Sequence, residues 1–165
     1  MTQEKMVKEK ITFEQFLATV EGSNKPYIQG LHEYFLENGC KATFEEKKNG
    51  MLASYKHTKL KKVFANFLFR KQGMLVRIYG ENIGKYPGFV NDLPQEMVQS
   101  IQKSGDCKRL INNTCSPKCT GYDFIIKGEH FQKCRYNCFE FLITEESKPY
   151  IKSFIENEVK ERTAV

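Results

Sequence analysis

No apolar run in this 165-residue sequence approaches the ~20 residues that a membrane-spanning helix needs. The start, MTQEKMVKEK, is charged and has no apolar stretch ahead of a small-residue cleavage site. These absences predict a soluble, cytoplasmic protein with no membrane partner. Catalytic signatures are missing as well. YGENIGKYPG spaces Gly80, Gly84 and Gly88 evenly, which is neither G-x-G-x-x-G nor a phosphate loop ending in Gly-Lys-Ser/Thr, so it reads as a turn. The chain has no H-E-x-x-H and no G-x-S-x-G, and the adjacent pairs Glu45-Glu46 and Glu145-Glu146 would splay apart on a strand or a helix. Histidine is scarce: only His32, His57 and His130 could pair with a cysteine nucleophile. The sequence leans away from an enzyme.

What is present is enough for a core. Hydrophobic residues make up 40% and aromatic residues 13%, a composition that folds unaided and predicts one α+β domain over residues 1–165. The net charge of +6 is local, since residues 41–71 hold nine Lys/Arg against Glu45 and Glu46. At the centre of this basic patch is KHTKLKK, whose Lys56, Lys59, Lys61 and Lys62 are the candidate nucleic-acid contacts, with the aromatic run VFANFLFRK directly after them. The competing reading is that these lysines keep an exposed strand from pairing with other chains. Lys outnumbers Arg, and Arg is the better phosphate fork.

Local grammar predicts the elements. Thr12 and Gln15 form a capping-box pattern in TFEQF. A second helix starts at Asn24 with Pro26 in its first turn, carries Tyr27, Leu31, Tyr34 and Phe35 as an apolar stripe, and ends at Gly39. KATFEEK, MLASYKH, KKVFANFLFRK and MLVRIYG then read as four consecutive antiparallel strands, joined through Lys48-Asn49-Gly50 and Gln72-Gly73. Asp92 and Pro94 open a further helix with Met97, Val98 and Ile101 turned inward, and Gly105 closes it. GYDFIIKG and CFEFLIT look like two more strands. SKPYIKSFIENEV repeats the helix-start phrase NKPYIQGLHEYF, which shared capping needs explain without a duplication. The fold class expected is α+β, an antiparallel sheet with helices packed mainly on one face and a Cys-rich loop and hairpin subregion at about 105–140.

FANFLFRKQGMLVRIYGEN followed by LPQEMVQSIQKSGDCKRL resembles small bacterial α+β domains of the YdhG-like type over about residues 55–110. The resemblance implies a fold and no catalytic residues, and the cysteine-rich continuation after Cys107 departs from it.

Five of the six cysteines fall between Cys107 and Cys138. Zinc ligands must approach to ~2.3 Å of the ion, which an extended Cys-x3-Cys pair roughly 13 Å apart cannot do and a turn can. Ser116-Pro117-Lys118 is such a turn, so Cys115 and Cys119 are the expected chelating pair, with Cys107 and Cys134 completing four thiolates. His130, expected in a hairpin turn at KGEHFQ, and Cys138 are the alternates. Three readings of the cluster stand at this point: a structural zinc, reduced thiols without metal, and a redox or catalytic thiol supported by Lys108, Arg109, Lys118, Lys133 and Arg135 nearby. The corresponding functions are a cytoplasmic binding or regulatory module with a structural cluster, a nucleic-acid binder using residues 41–71, and a redox-sensing or thiol-dependent enzyme. Ligand and partner are not legible.

Overall fold

A computed structural model describes residues 10–119 and 121–164. The chain runs α1 (Phe13–Ala18), a 3₁₀ turn, α2 (Lys25–Glu37), β1 (Cys40–Lys47), β2 (Gly50–His57), β3 (Lys62–Arg70) and β4 (Gly73–Ile78). It continues through a second 3₁₀ turn, α3 (Pro87–Asn91), α4 (Gln95–Lys103), α5 (Lys108–Asn112), β5 (Tyr122–Ile126), β6 (Glu129–Lys133), β7 (Glu140–Leu142) and α6 (Lys148–Thr163). The main sheet is antiparallel throughout, in the order β1-β2-β3-β4-β7, and β5 and β6 form a separate hairpin. This is the α+β architecture that the residue patterns predict.

Period-two alternation divides the main sheet into layers. Phe44, Ala53, Phe67, Val76 and Phe141 stand opposite one another across all five strands and meet α1, α2 and α6. One residue away, Thr43, Ser54, Asn66, Arg77 and Glu140 make a parallel row on the other face. That row is tied together by Ser54 Oγ donating to Asn66 Oδ1 at 2.9 Å and by Arg77 Nε donating to Glu140 at 2.8 Å.

Both expected hairpin turns form, each a two-residue turn followed by a glycine at positive φ: Lys48-Asn49 before Gly50 (φ 135°) and Lys71-Gln72 before Gly73 (φ 124°). Thr12 and Gln15 make both capping-box bonds, and Gly39 ends α2 at φ 85°. Asn24 occupies the N-cap position of α2 without a side-chain capping bond.

Two boundaries differ from expectation. Asp92 closes α3, its N–H bonding back to Phe89, so α4 starts only at Gln95 behind the extended Pro94. The hairpin turn expected in KGEHFQ is confined to its first two residues, Lys127 and Gly128, both at positive φ, and Glu129–Lys133 is strand, so His130 is on β6 and not in the turn.

The hairpin is anchored from both sides. Phe124 stacks on Phe131 at 5.4 Å, and Tyr122 stacks on Phe139 at 5.3 Å. Lys133 is buried and gives its ammonium to the carbonyls of Gln102 (3.2 Å) and Ser104 (3.0 Å) and to Asp106 Oδ1 (2.8 Å). A cation on the last carbonyls of α4 satisfies groups that no helical N–H can reach.

Candidate metal centre

Backbone pairing sets the first two cysteines. Asp106 bridges Lys133, with Cys107 N–H donating to Gln132 O and Cys134 N–H donating to Gly105 O, both at 2.9 Å. Cys107 and Cys134 therefore lie diagonally on one face of this short ladder, a relationship that spans about 7–8 Å between Cα atoms. The Cys107 sulfur rests on the backbone of Gly121, where a β-carbon would have no room. Gly121 follows Cys119 by two residues, so the same contact draws the preceding turn toward Cys107.

The turn supplies the other two. Cys119 N–H donates to Ser116 O at 3.0 Å, closing the Pro-containing turn and bringing Cys115 within side-chain hydrogen-bonding reach of Cys119. Partial burial raises the Cys119 thiol above its ordinary range, and the Cys115 thiol beside it, then Cys107 and Cys134, push it further in the same direction. A bound cation would relieve this pressure on Cys119. Among the described residues, no group of three or more His, Cys, Asp or Glu side chains stands ready to hold a metal ion. Cys115 is exposed, Cys119 and Cys134 are half-buried and Cys107 is buried.

The alternates are placed elsewhere. His130 is on β6, an exposed strand position four residues before Cys134, and its Nε2 is held by Asp123 at 2.6 Å. Cys138 is fully buried, far above the ordinary thiol range because of that burial, with Lys133, Ser104 and Cys134 as its polar surroundings. It follows Cys134 on a helical-type turn, its N–H bonding Cys134 O at 3.1 Å, and its side chain belongs to the core. Cys40 is buried in the main core.

Of the five basic residues that flank the cysteines and could offset the charge of a four-thiolate site, Arg109 and Arg135 are set apart by their buried Nε–H groups. Both guanidinium groups carry a buried Nε–H with no acceptor among the described residues, and each arginine lies within two positions of Cys107 or Cys134. Arg135 also pairs with Glu81 at 2.9 Å and lies over the Tyr79 ring. Basic residues next to cysteines were the available signal, although nothing in the spacing showed which of them would be buried.

The basic segment does not form one patch. Lys56, Lys59, Lys61 and Lys62 gather at the β2–β3 turn, and Lys47, Lys48, Arg70 and Lys71 at the other end of the sheet, about 23 Å away along β2 at ~3.3 Å per residue. The aromatic residues after the first group are not presented beside it: Phe64 and Phe67 are buried.

No family model, curated protein or solved structure matches the chain.

Proposed function

We propose that this chain is a binding module without catalytic chemistry of its own, in which Cys107, Cys115, Cys119 and Cys134 hold a structural zinc ion that staples the last third of the fold. The observation that carries the reading is the placement of these four cysteines, Cys107 and Cys134 on one short ladder and Cys115 and Cys119 across one turn, with Cys115, Cys107 and Cys134 all acting on the Cys119 thiol. Four thiolates around Zn²⁺ leave a net double negative charge, and the acceptor-less Nε–H groups of Arg109 and Arg135 are suited to balance it. A catalytic thiol is the weaker reading, because the raised Cys119 keeps its nucleophilic thiolate rare at neutral pH. The test is elemental analysis of untagged protein purified without chelators. One zinc per chain, lost in Cys115→Ser and Cys119→Ser, supports the site; metal-free protein that takes up no zinc on titration refutes it.

A further inference from the structure

The face of the main sheet that turns away from α1, α2 and α6 carries a second set of apolar side chains, only part of it covered. Leu68 stands opposite Leu75, and Leu75 opposite Leu142. Ala53 pairs with Phe67, so the register sets Leu52 beside Leu68 and extends the row across β2, β3, β4 and β7. Leu75 is covered beside α4, whereas Leu52 and Leu68 are half-buried and Leu142 is 37% exposed. The row continues into a hollow of about 710 Å³ between the β1–β2 and β3–β4 turns, bordered by Lys48, Leu52, Leu68, Arg70, Lys71 and Arg77.

The charge around this hollow has one sign. Its lining includes five Lys or Arg side chains and no Asp or Glu. Among the described residues Glu140 alone answers Arg70 and Arg77, and Lys47 is paired with Glu45. Among the described residues, Lys48 and Lys71 have no ion-pair partner. An apolar floor with a basic rim selects a ligand that is apolar along one side and acidic along the other.

We infer that this face is a docking surface for an acidic amphipathic segment of a partner protein, its leucine-like side chains on the Leu52–Leu68–Leu142 row and its carboxylates on Lys48, Lys71 and Arg70. The chemistry separates this occupant from others that a basic face attracts. Single-stranded nucleic acid stacks its bases on exposed rings. The row here is aliphatic, and Phe69, the one ring lining the hollow, packs against Phe16 on the helix side. An anionic bilayer offers a flat surface, whereas the hollow is recessed between two hairpin tips and admits a convex helix or strand. The surface is built from β2, β3, β4 and β7 and does not depend on whether the cysteine cluster holds zinc.

Fluorescence anisotropy tests this with a labelled synthetic peptide of glutamates and helically spaced leucines, against a sequence-scrambled peptide, labelled oligo-dT and phosphatidylserine vesicles. The amphipathic peptide is expected to bind, and adding salt should weaken it. Lys48→Glu with Lys71→Glu should reduce its affinity roughly tenfold, as loss of two complementary charges implies. Leu142→Gln, at an exposed edge position, should weaken it independently of salt. Thermal midpoints of both variants should match that of the parent protein, which separates lost binding from lost folding. Equal affinity for the scrambled peptide, preference for oligo-dT or vesicles, self-association that buries the face, or unchanged binding by both variants would overturn the proposal.

Discussion

The Tyr86 hydroxyl donates to the Glu158 carboxylate at 2.6 Å across 72 residues of chain, locking the loop after β4 onto α6. Glu158 is buried and also accepts the Asn82 N–H at 2.6 Å and Arg162 Nε at 2.9 Å. Arg162 in turn reaches the carbonyls of Val63 and Tyr79 and lies 4.5 Å over the Phe64 ring. One buried ion pair thus joins α6, β3 and the β4 exit.

Removing one member of that network should cost far more than removing its edge. Arg162→Met leaves a buried carboxylate without its cation and should destabilise the fold by about 3–5 kcal/mol. Tyr86→Phe removes a single donor from Glu158 and should cost about 1–3 kcal/mol. Urea unfolding of the two variants checks the ranking, and equal costs would show that the ion pair is not the controlling contact.

Acid should loosen the helix side of the sheet through His32. Its Nδ1 lies 2.8 Å from the Tyr55 hydroxyl and its ring stacks on Phe13 at 3.6 Å. Burial lowers its pKa below the ordinary 6.5, outweighing Glu14 and Glu33, which act in the opposite sense. A depressed folded-state value favours the neutral ring, so its contribution is complete above pH ~6.5 and is lost as pH falls through the folded-state pKa. The fall in thermal midpoint between pH 7.5 and pH 5 should be smaller in His32→Leu than in the parent protein.

Chelation should act locally. If zinc sits on the four cysteines, removing it should speed amide exchange over about residues 105–140 while β1–β4, α2 and α6 stay protected, because none of Cys107, Cys115, Cys119 and Cys134 is among the core residues those elements pack with. Cys40→Ala and Cys138→Ala should keep the metal. Gly121→Ala should lose it, since the added methyl collides with the Cys107 sulfur. Uniform exchange changes along the chain would contradict a local staple.

Lys56 stands directly opposite Lys41 on β1 and β2, a like-charge pair that costs stability. Lys56→Glu should therefore raise the thermal midpoint at low salt by an amount equivalent to about 0.2–1 kcal/mol, and added salt should erase most of the gain. Reversing all four of Lys56, Lys59, Lys61 and Lys62 then tests nucleic-acid binding cleanly: retention on heparin that survives the change excludes this end of the sheet as the contact.

The meander was legible because its signals are local. The alternation of Val63, Ala65, Phe67 and Phe69 and the Gly50 and Gly73 turns act within a few residues of themselves. Strand β6 was hidden for the opposite reason: Glu129, His130 and Gln132 face outward or half outward, and Lys133 is buried only because the end of α4 offers it carbonyls. The choice of Cys134 over Cys138 rested on position before an apolar run. In the structure Cys138 is in the core beside Ser104, a contact from more than thirty residues earlier in the chain that no spacing rule encodes. The open leucine row escaped notice because each leucine sits alone in its own strand and register alone aligns them.

The burial of Lys133 gives the molecule a built-in chemical clock. With its side chain only 8% exposed and all three ammonium contacts taken, it should be among the slowest lysines of the chain to react with an amine-acylating reagent. The rate at which that one residue becomes labelled then measures how often the β5–β6 hairpin parts from α4, a motion that ordinary unfolding signals, dominated by the main core, would pass over.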